Sequence, residues 1–244
     1  TILVKVDNTK KPADRWYSGA GIYRTVKWIE VEEKHLDERE IVIKTKVEKG
    51  NGVVEIDAGI RAYVRATLMG GKVEFFAESE DGFLTVRVPE ARRWSAEEPN
   101  LYTLTLEVLD GGRVTDAVHM QVGIREFSFI PGRGMFVNGM PVVLKGVCVH
   151  QDAGCRGIAA TKGLWRQRLL KLKEMGCNAI RAAHHIYSVE FLDLCDELGF
   201  YVYEECFDKW TGGLYGRYFE TEWQKDVSCM VKRDRNRPCI FLWG

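Results

Sequence analysis

The chain has 244 residues, 45% hydrophobic and 11% aromatic, enough for packed cores in more than one domain. Its 35 Lys and Arg balance 35 Asp and Glu, so no global field draws nucleic acid or an anionic membrane to it, and a neutral small ligand fits better. No apolar run approaches the ~20 residues that cross a bilayer. The N-terminus, Thr-Ile-Leu-Val-Lys-Val-Asp, lacks the regions of a signal peptide and reads as cut from a longer chain, which leaves the compartment open.

Residues 1–34 hold two strand-like pieces, 2–6 and 22–31, around the loop Arg15-Trp16-Tyr17-Ser18-Gly19-Ala20-Gly21. Two strands cannot bury a core alone, so they read as the end of a preceding β domain or as edge strands of the next one. From 35 to 125 the chain alternates in short runs at 40–47, 53–56, 62–68, 73–76, 84–88, 101–109 and 117–122. Turn residues such as Gly70-Gly71 and Asp110-Gly111-Gly112 bound them. Seven such strands predict an antiparallel, immunoglobulin-like β-sandwich.

From 126 to 244 apolar strand runs alternate with helical segments. The pattern predicts a strand at 142–149 and a helix at 162–175 with Leu164, Leu169, Leu172 and Met175 inward. A strand at 177–181, a helix from Ser188 to its stop at Gly199, a strand at 200–203, a helix at 219–233 and a strand at 239–243 follow. Four strands and three helices make a βα repeat with a parallel sheet, the first half of a (β/α)8 barrel. The seven cysteines (148, 155, 177, 195, 206, 229 and 239) show no Cys-x-x-Cys spacing and read as reduced core residues.

In such barrels the site lies at the C-terminal strand ends. Those ends carry His150, Gln151 and Asp152, then Arg181, His184 and His185, then Glu204, Glu205, Asp208 and Trp210, and finally Trp243. Carboxylates, imidazoles, a guanidinium and an indole at one mouth suit a sugar, whose hydroxyls take polar partners while its apolar face stacks on an aromatic ring. Each has a plainer reading: Arg181 as an ion-pair partner of Glu204 or Glu205, Trp243 as core, the glutamates as a solvated pair. Adjacent His184 and His185 point to opposite sides in extended backbone, so at most one of them faces a ligand. A zinc site is disfavoured, since no His-x-His follows the first strand.

Two long motifs carry a resemblance. Gly176-Cys-Asn178-Ala-Ile-Arg181-Ala-Ala-His184 followed by Phe191-Leu-Asp-Leu-Cys-Asp196-Glu-Leu-Gly199-Phe-Tyr-Val-Tyr resembles the first signature of family 2 glycoside hydrolases. Arg233-Asp234-Arg235-Asn236-Arg237-Pro238-Cys-Ile-Phe-Leu-Trp243-Gly244 resembles the start of the second. That family comprises β-galactosidases, β-glucuronidases and β-mannosidases. The resemblance implies a jelly-roll sugar-binding domain ending at residues 1–34, then the sandwich, then the barrel half. It implies a retaining exo-β-glycosidase, most like a β-galactosidase, with two glutamates about 5–5.5 Å apart, after the fourth and seventh strands. Both would lie outside this chain, which is then an inactive fragment.

By the same resemblance, the substrate-binding residues are His150, Asp152, Arg181, His184, Glu205, Asp208 and Trp210, with Arg181 keeping the nucleophile carboxylate ionised. His185-Ile186 replaces the family's usual continuation after His184. Lys209 and Thr211 stand where some β-galactosidases hold magnesium, so no metal or cofactor is expected. The partner expected is carbohydrate, with self-association open; the rival readings are a β-glucuronidase or β-mannosidase of the same family and a carbohydrate-binding protein lacking the glutamates.

Overall fold

The computed structural model describes residues 1–7, 9, 21–213 and 215–244. The alternating region forms β1 (Val42–Glu48), β2 (Asn51–Asp57), β3 (Val64–Gly70), β4 (Val73–Ser79), β5 (Phe83–Val88), β6 (Tyr102–Asp110) and β7 (Arg113–Val122). They make two antiparallel sheets, ordered β1-β2-β5 and β4-β3-β6-β7. Period-two burial turns Leu84 and Val86 of one sheet and Leu104, Leu106 and Val108 of the other into a shared core, giving a two-layer sandwich. The β6–β7 hairpin closes through Gly111 and Gly112, both at positive φ, the conformation a two-residue turn between twisted strands requires.

The second half begins with a small antiparallel sheet that the periodicity does not reveal, β8 (Phe127–Ile130), β9 (Gly134–Val137) and β10 (Met140–Val142). Then come β11 (Gly146–Val149), α1 (Lys162–Glu174), β12 (Ala179–Ala182), α2 (Val189–Leu198), β13 (Tyr201–Glu204), α3 (Gly216–Asp234) and β14 (Ile240–Trp243). The four strands are parallel and in sequence order, as the βα pattern predicts. Thr161 starts α1 by accepting a hydrogen bond from the Leu164 N–H. No helix among the described residues is long and apolar enough to cross a membrane.

Four sequence expectations are corrected. The strand predicted at 142–149 is two strands, because Asn178 accepts from the Lys145 N–H and donates to the Val143 carbonyl, breaking the run between them. Residues 2–6 and 22–31 form no strand; their apolar side chains are exposed and no strand among the described residues pairs with them. The intervening loop from Arg15 lies outside the described residues up to Ala20. On α1 the buried side chains are Trp165 and Leu169, with Leu172 partly buried, while Met175 at the helix end is exposed. All seven thiols are free, but only Cys195, Cys206 and Cys239 are buried; Cys148, Cys155 and Cys229 are exposed.

Sandwich and barrel half are fastened together. Trp94, in the loop after β5, is fully buried in the barrel core and donates from its indole to the Asp196 carbonyl at 3.0 Å. Asn236 extends the edge of the sandwich: it accepts from the Ile43 N–H and donates to the Ile41 carbonyl, both at 2.9 Å. Arg235 donates to the Ile41 and Arg39 carbonyls, and Arg125 reaches back to the carbonyls of Arg237, Pro238 and Ile240. A Cβ on Gly123 would come within 2.5 Å of Pro238, so only glycine lets the two halves approach this closely.

Candidate active site

β11, β12 and β13 run parallel in adjacent register, so their C-terminal ends bring polar residues from three separate stretches to one face. Cys148, Arg181 and Tyr203 lie side by side across the sheet. Arg181 donates from Nε to Glu205 Oε1 at 2.5 Å, lies 3.8 Å from the Cys148 thiol, and is 6.0 Å from the centre of the Tyr203 ring. The hydrogen bond to Glu205 holds the Arg181 guanidinium above its ordinary pKa.

His184 completes the group. Its Nδ1 is 3.0 Å from Glu205 Oε2 and 3.2 Å from Arg181 Nη2. A carboxylate oxygen accepts from an Nδ1 hydrogen whereas a guanidinium donates to a bare Nδ1, so the two contacts call for opposite tautomers and Nδ1 is the ring atom held by the protein in either one. The His150 ring meets His184 edge-on with centroids 5.5 Å apart. Glu205 is therefore a buried bracket that fixes a guanidinium and an imidazole together.

The neighbouring residues are held differently. His185 stacks on Tyr187 at 4.9 Å and lines the same cavity as His184, the backbone there being a turn beyond the end of β12. Glu204 is fully buried on the far side, 3.4 Å from Arg233 Nη2, and burial together with Asp234 pushes its carboxyl up to about 8. Asp234 lies between Arg233 and Arg237, and Arg237 also binds Asp193 and Asp196. Burial raises the Asp196 carboxyl, with Arg237 opposing it. The arginines of the second motif thus serve the interior and the seam.

Of the remaining predicted residues, Asp152 shapes the loop after β11: it accepts from the Gly154 N–H at 2.8 Å, and its carbonyl takes Arg168. Asp208 lines a cavity of about 370 Å³ with His184, His185, Phe207, Lys209, Tyr215 and Asp226. Trp210 is exposed, and both Lys209 and Trp210 hold a positive φ, uncommon outside glycine. Gln151 is buried and accepts from Arg24, which also donates to the Ile186 carbonyl at 2.6 Å. Arg24, Tyr215 and Asp226 were missed by sequence reasoning because no motif spacing links them to the strand ends. Among the described residues no three His, Cys, Asp or Glu side chains cluster to hold a metal ion.

Known proteins resemble this chain over its whole length. A protein of Formosa agariphila, named provisionally as a β-glucuronidase, is 40% identical across the whole chain, which covers 25% of that protein. A β-galactosidase of Bacteroides ovatus is 35% identical across the whole chain and 31% covered. The crystal structure of a glycosyl hydrolase family 2 member from Bacteroides cellulosilyticus superposes with a TM-score of 0.80 at 27% identity, over 98% of this chain and 35% of that one. The chain thus spans about a quarter to a third of the length of the relatives it matches. Residues 25–125 match the family described as "Glycosyl hydrolases family 2", and residues 130–244 match its "TIM barrel domain". The chain belongs to glycosyl hydrolases family 2.

Proposed function

We propose that the whole protein is a retaining exo-β-glycosidase, first of all a β-galactosidase, and that this chain supplies the half of the barrel that holds the sugar. The observation that carries the reading is the bracket of Glu205 with Arg181 and His184 at the parallel strand ends of a family 2 chain. A bracket of this kind suits a pyranose: rigid donors need no reordering when the substrate arrives. In this reading His150 and His184 contact sugar hydroxyls, and Arg181 lies beside the nucleophile carboxylate and keeps it ionised. Glu205 positions both Arg181 and His184. Asp152, Asp208 and Trp210 complete the pocket wall. The chain divides into residues 1–34, an immunoglobulin-like sandwich at 35–125 and the barrel half at 126–244; the strand order of the two sheets supports the middle assignment.

Both catalytic glutamates belong to other parts of the protein, so this chain alone turns over no aryl β-glycoside while the whole protein does. A second reading, β-glucuronidase, is favoured by the 40% identical relative. Comparing kcat/KM of the whole protein on aryl β-galactoside, β-glucuronide and β-mannoside separates them. The β-galactosidase reading expects the galactoside to lead by about tenfold or more. A lead by the glucuronide, or hydrolysis by this chain alone, overturns the corresponding part.

A further inference from the structure

The segment ahead of the sandwich reaches the site through one side chain. Among residues 21–34 only Arg24 is withdrawn from solvent. Its Nη2 donates to Gln151 Oε1 at 3.3 Å and to the Ile186 carbonyl at 2.6 Å, so one nitrogen spans the loop after β11 and the turn after β12. Gln151 is buried, and its own amide nitrogen donates to the Ile158 carbonyl at 3.2 Å, which leaves its oxygen as the end turned to Arg24. Next to Arg24, the Thr25 hydroxyl donates to Glu190 at 2.6 Å and seats the segment on the first turn of α2; this bond holds the Glu190 carboxyl below its ordinary pKa.

A second tie crosses the same two elements from within. The fully buried Tyr187 donates from its hydroxyl to the Val149 carbonyl at 2.6 Å and lies 3.1 Å from the Ala183 carbonyl. Val149 and Gln151 flank His150 in the chain, and Ala183 and Ile186 flank His184 and His185. Tyr187 therefore joins the residues before the histidines, and Arg24 joins the residues after them. Between the two ties the His150 and His184 rings meet edge-on with centroids 5.5 Å apart. Without Arg24 the buried Gln151 oxygen and the Ile186 carbonyl lose this donor, and loop and turn are tied on one side only. Groups aimed at a substrate lose much of their effect when misplaced by about 1 Å.

We propose that Arg24 is a positioning residue of the active site, setting the spacing of His150 and His184 from outside the barrel. The inference rests on the glycosidase reading above, in which the two histidines contact sugar hydroxyls. Its test uses the whole protein carrying ring-labelled histidine, with the signals of His119, His150 and His184 assigned by substitution. Arg24→Ala shifts the His150 and His184 signals and leaves that of His119, on sandwich strand β7, in place. On the aryl β-glycoside that the parent protein cleaves fastest, it lowers kcat about tenfold with KM within about twofold. In the His184→Ala background the same substitution costs about threefold or less, because one of the rings it positions is gone. Arg24→Lys, which keeps a charged donor without the planar fork, shows smaller shifts and recovers part of the rate, and it carries the test if Arg24→Ala does not fold.

Histidine signals that ignore the loss of Arg24 overturn the proposal. So does an unchanged kcat, or an equal loss in both backgrounds, which would mark a contribution to stability alone. If the parent protein cleaves its glycoside in any of these cases, the glycosidase reading stands without Arg24. If the parent cleaves no aryl β-glycoside, the glycosidase reading falls, and shifted His150 and His184 signals would still support Arg24 as the tie that spaces the pair.

Discussion

The seam between sandwich and barrel and the mouth of the barrel are built from similar charged sequence, Arg233 to Pro238 in one and Arg181 to Glu205 in the other, yet their donors end differently. At the seam, Arg235, Asn236 and Arg125 all donate to backbone carbonyls of the facing half, and Trp94 fills the core between them. At the mouth, Arg181 and His184 are held from behind by one carboxylate and present their remaining polar edges outward. Charge in a motif therefore does not identify a reactive site. What separates the two regions is whether the donors are already occupied by the protein's own acceptors.

The comparison breaks most readily at Trp94. Removing a fully buried indole that spans both halves should cost about 3–5 kcal/mol, read as a lower urea midpoint for Trp94→Ala. A loss under 1 kcal/mol would mean that the two halves do not depend on this contact. Asn236→Ala comes next: it leaves the Ile43 N–H and the Ile41 carbonyl short of a partner, at about 1–3 kcal/mol by the same assay. An unchanged midpoint would show that water replaces the amide and that the clasp is decorative.

A pH-dependent effect, read as a slope rather than as a shifted midpoint, belongs to Glu204. Its folded carboxyl is raised to about 8 by burial and Asp234, so the folded state keeps a proton that the unfolded chain releases near its ordinary value. The stability this group contributes is present in full below about pH 4.5 and is lost as pH rises toward about 8, with a slope of about 1.4 kcal/mol per pH unit for each proton retained. Glu204→Gln should flatten that fall, gaining on the parent protein at pH 8 relative to pH 5. Parallel pH profiles for the two proteins would remove Glu204 from the account.

Much of this molecule was legible in sequence because the deciding interactions are local. The sandwich strands follow alternation between glycine turns, and α2 follows Ser188 and Gly199 at its ends. What was not legible depends on distant partners. Asn178 splits a strand run more than thirty residues earlier, and Asn236 pairs with an edge almost two hundred residues away. Residues 22–31 alternate like a strand and pair with no strand among the described residues, which alternation cannot reveal.

The central claim is that the mouth binds sugar and the seam holds the fold. His184→Ala tests it cleanly, since Glu205 keeps its Arg181 partner and no buried charge is stranded. The measurement is kcat/KM on an aryl β-galactoside beside the thermal midpoint, for the whole protein and for His184→Ala. The account predicts a fall of about 100-fold or more in kcat/KM with the midpoint within a few degrees of the parent. Full activity in His184→Ala, or a loss that merely tracks unfolding, would contradict it.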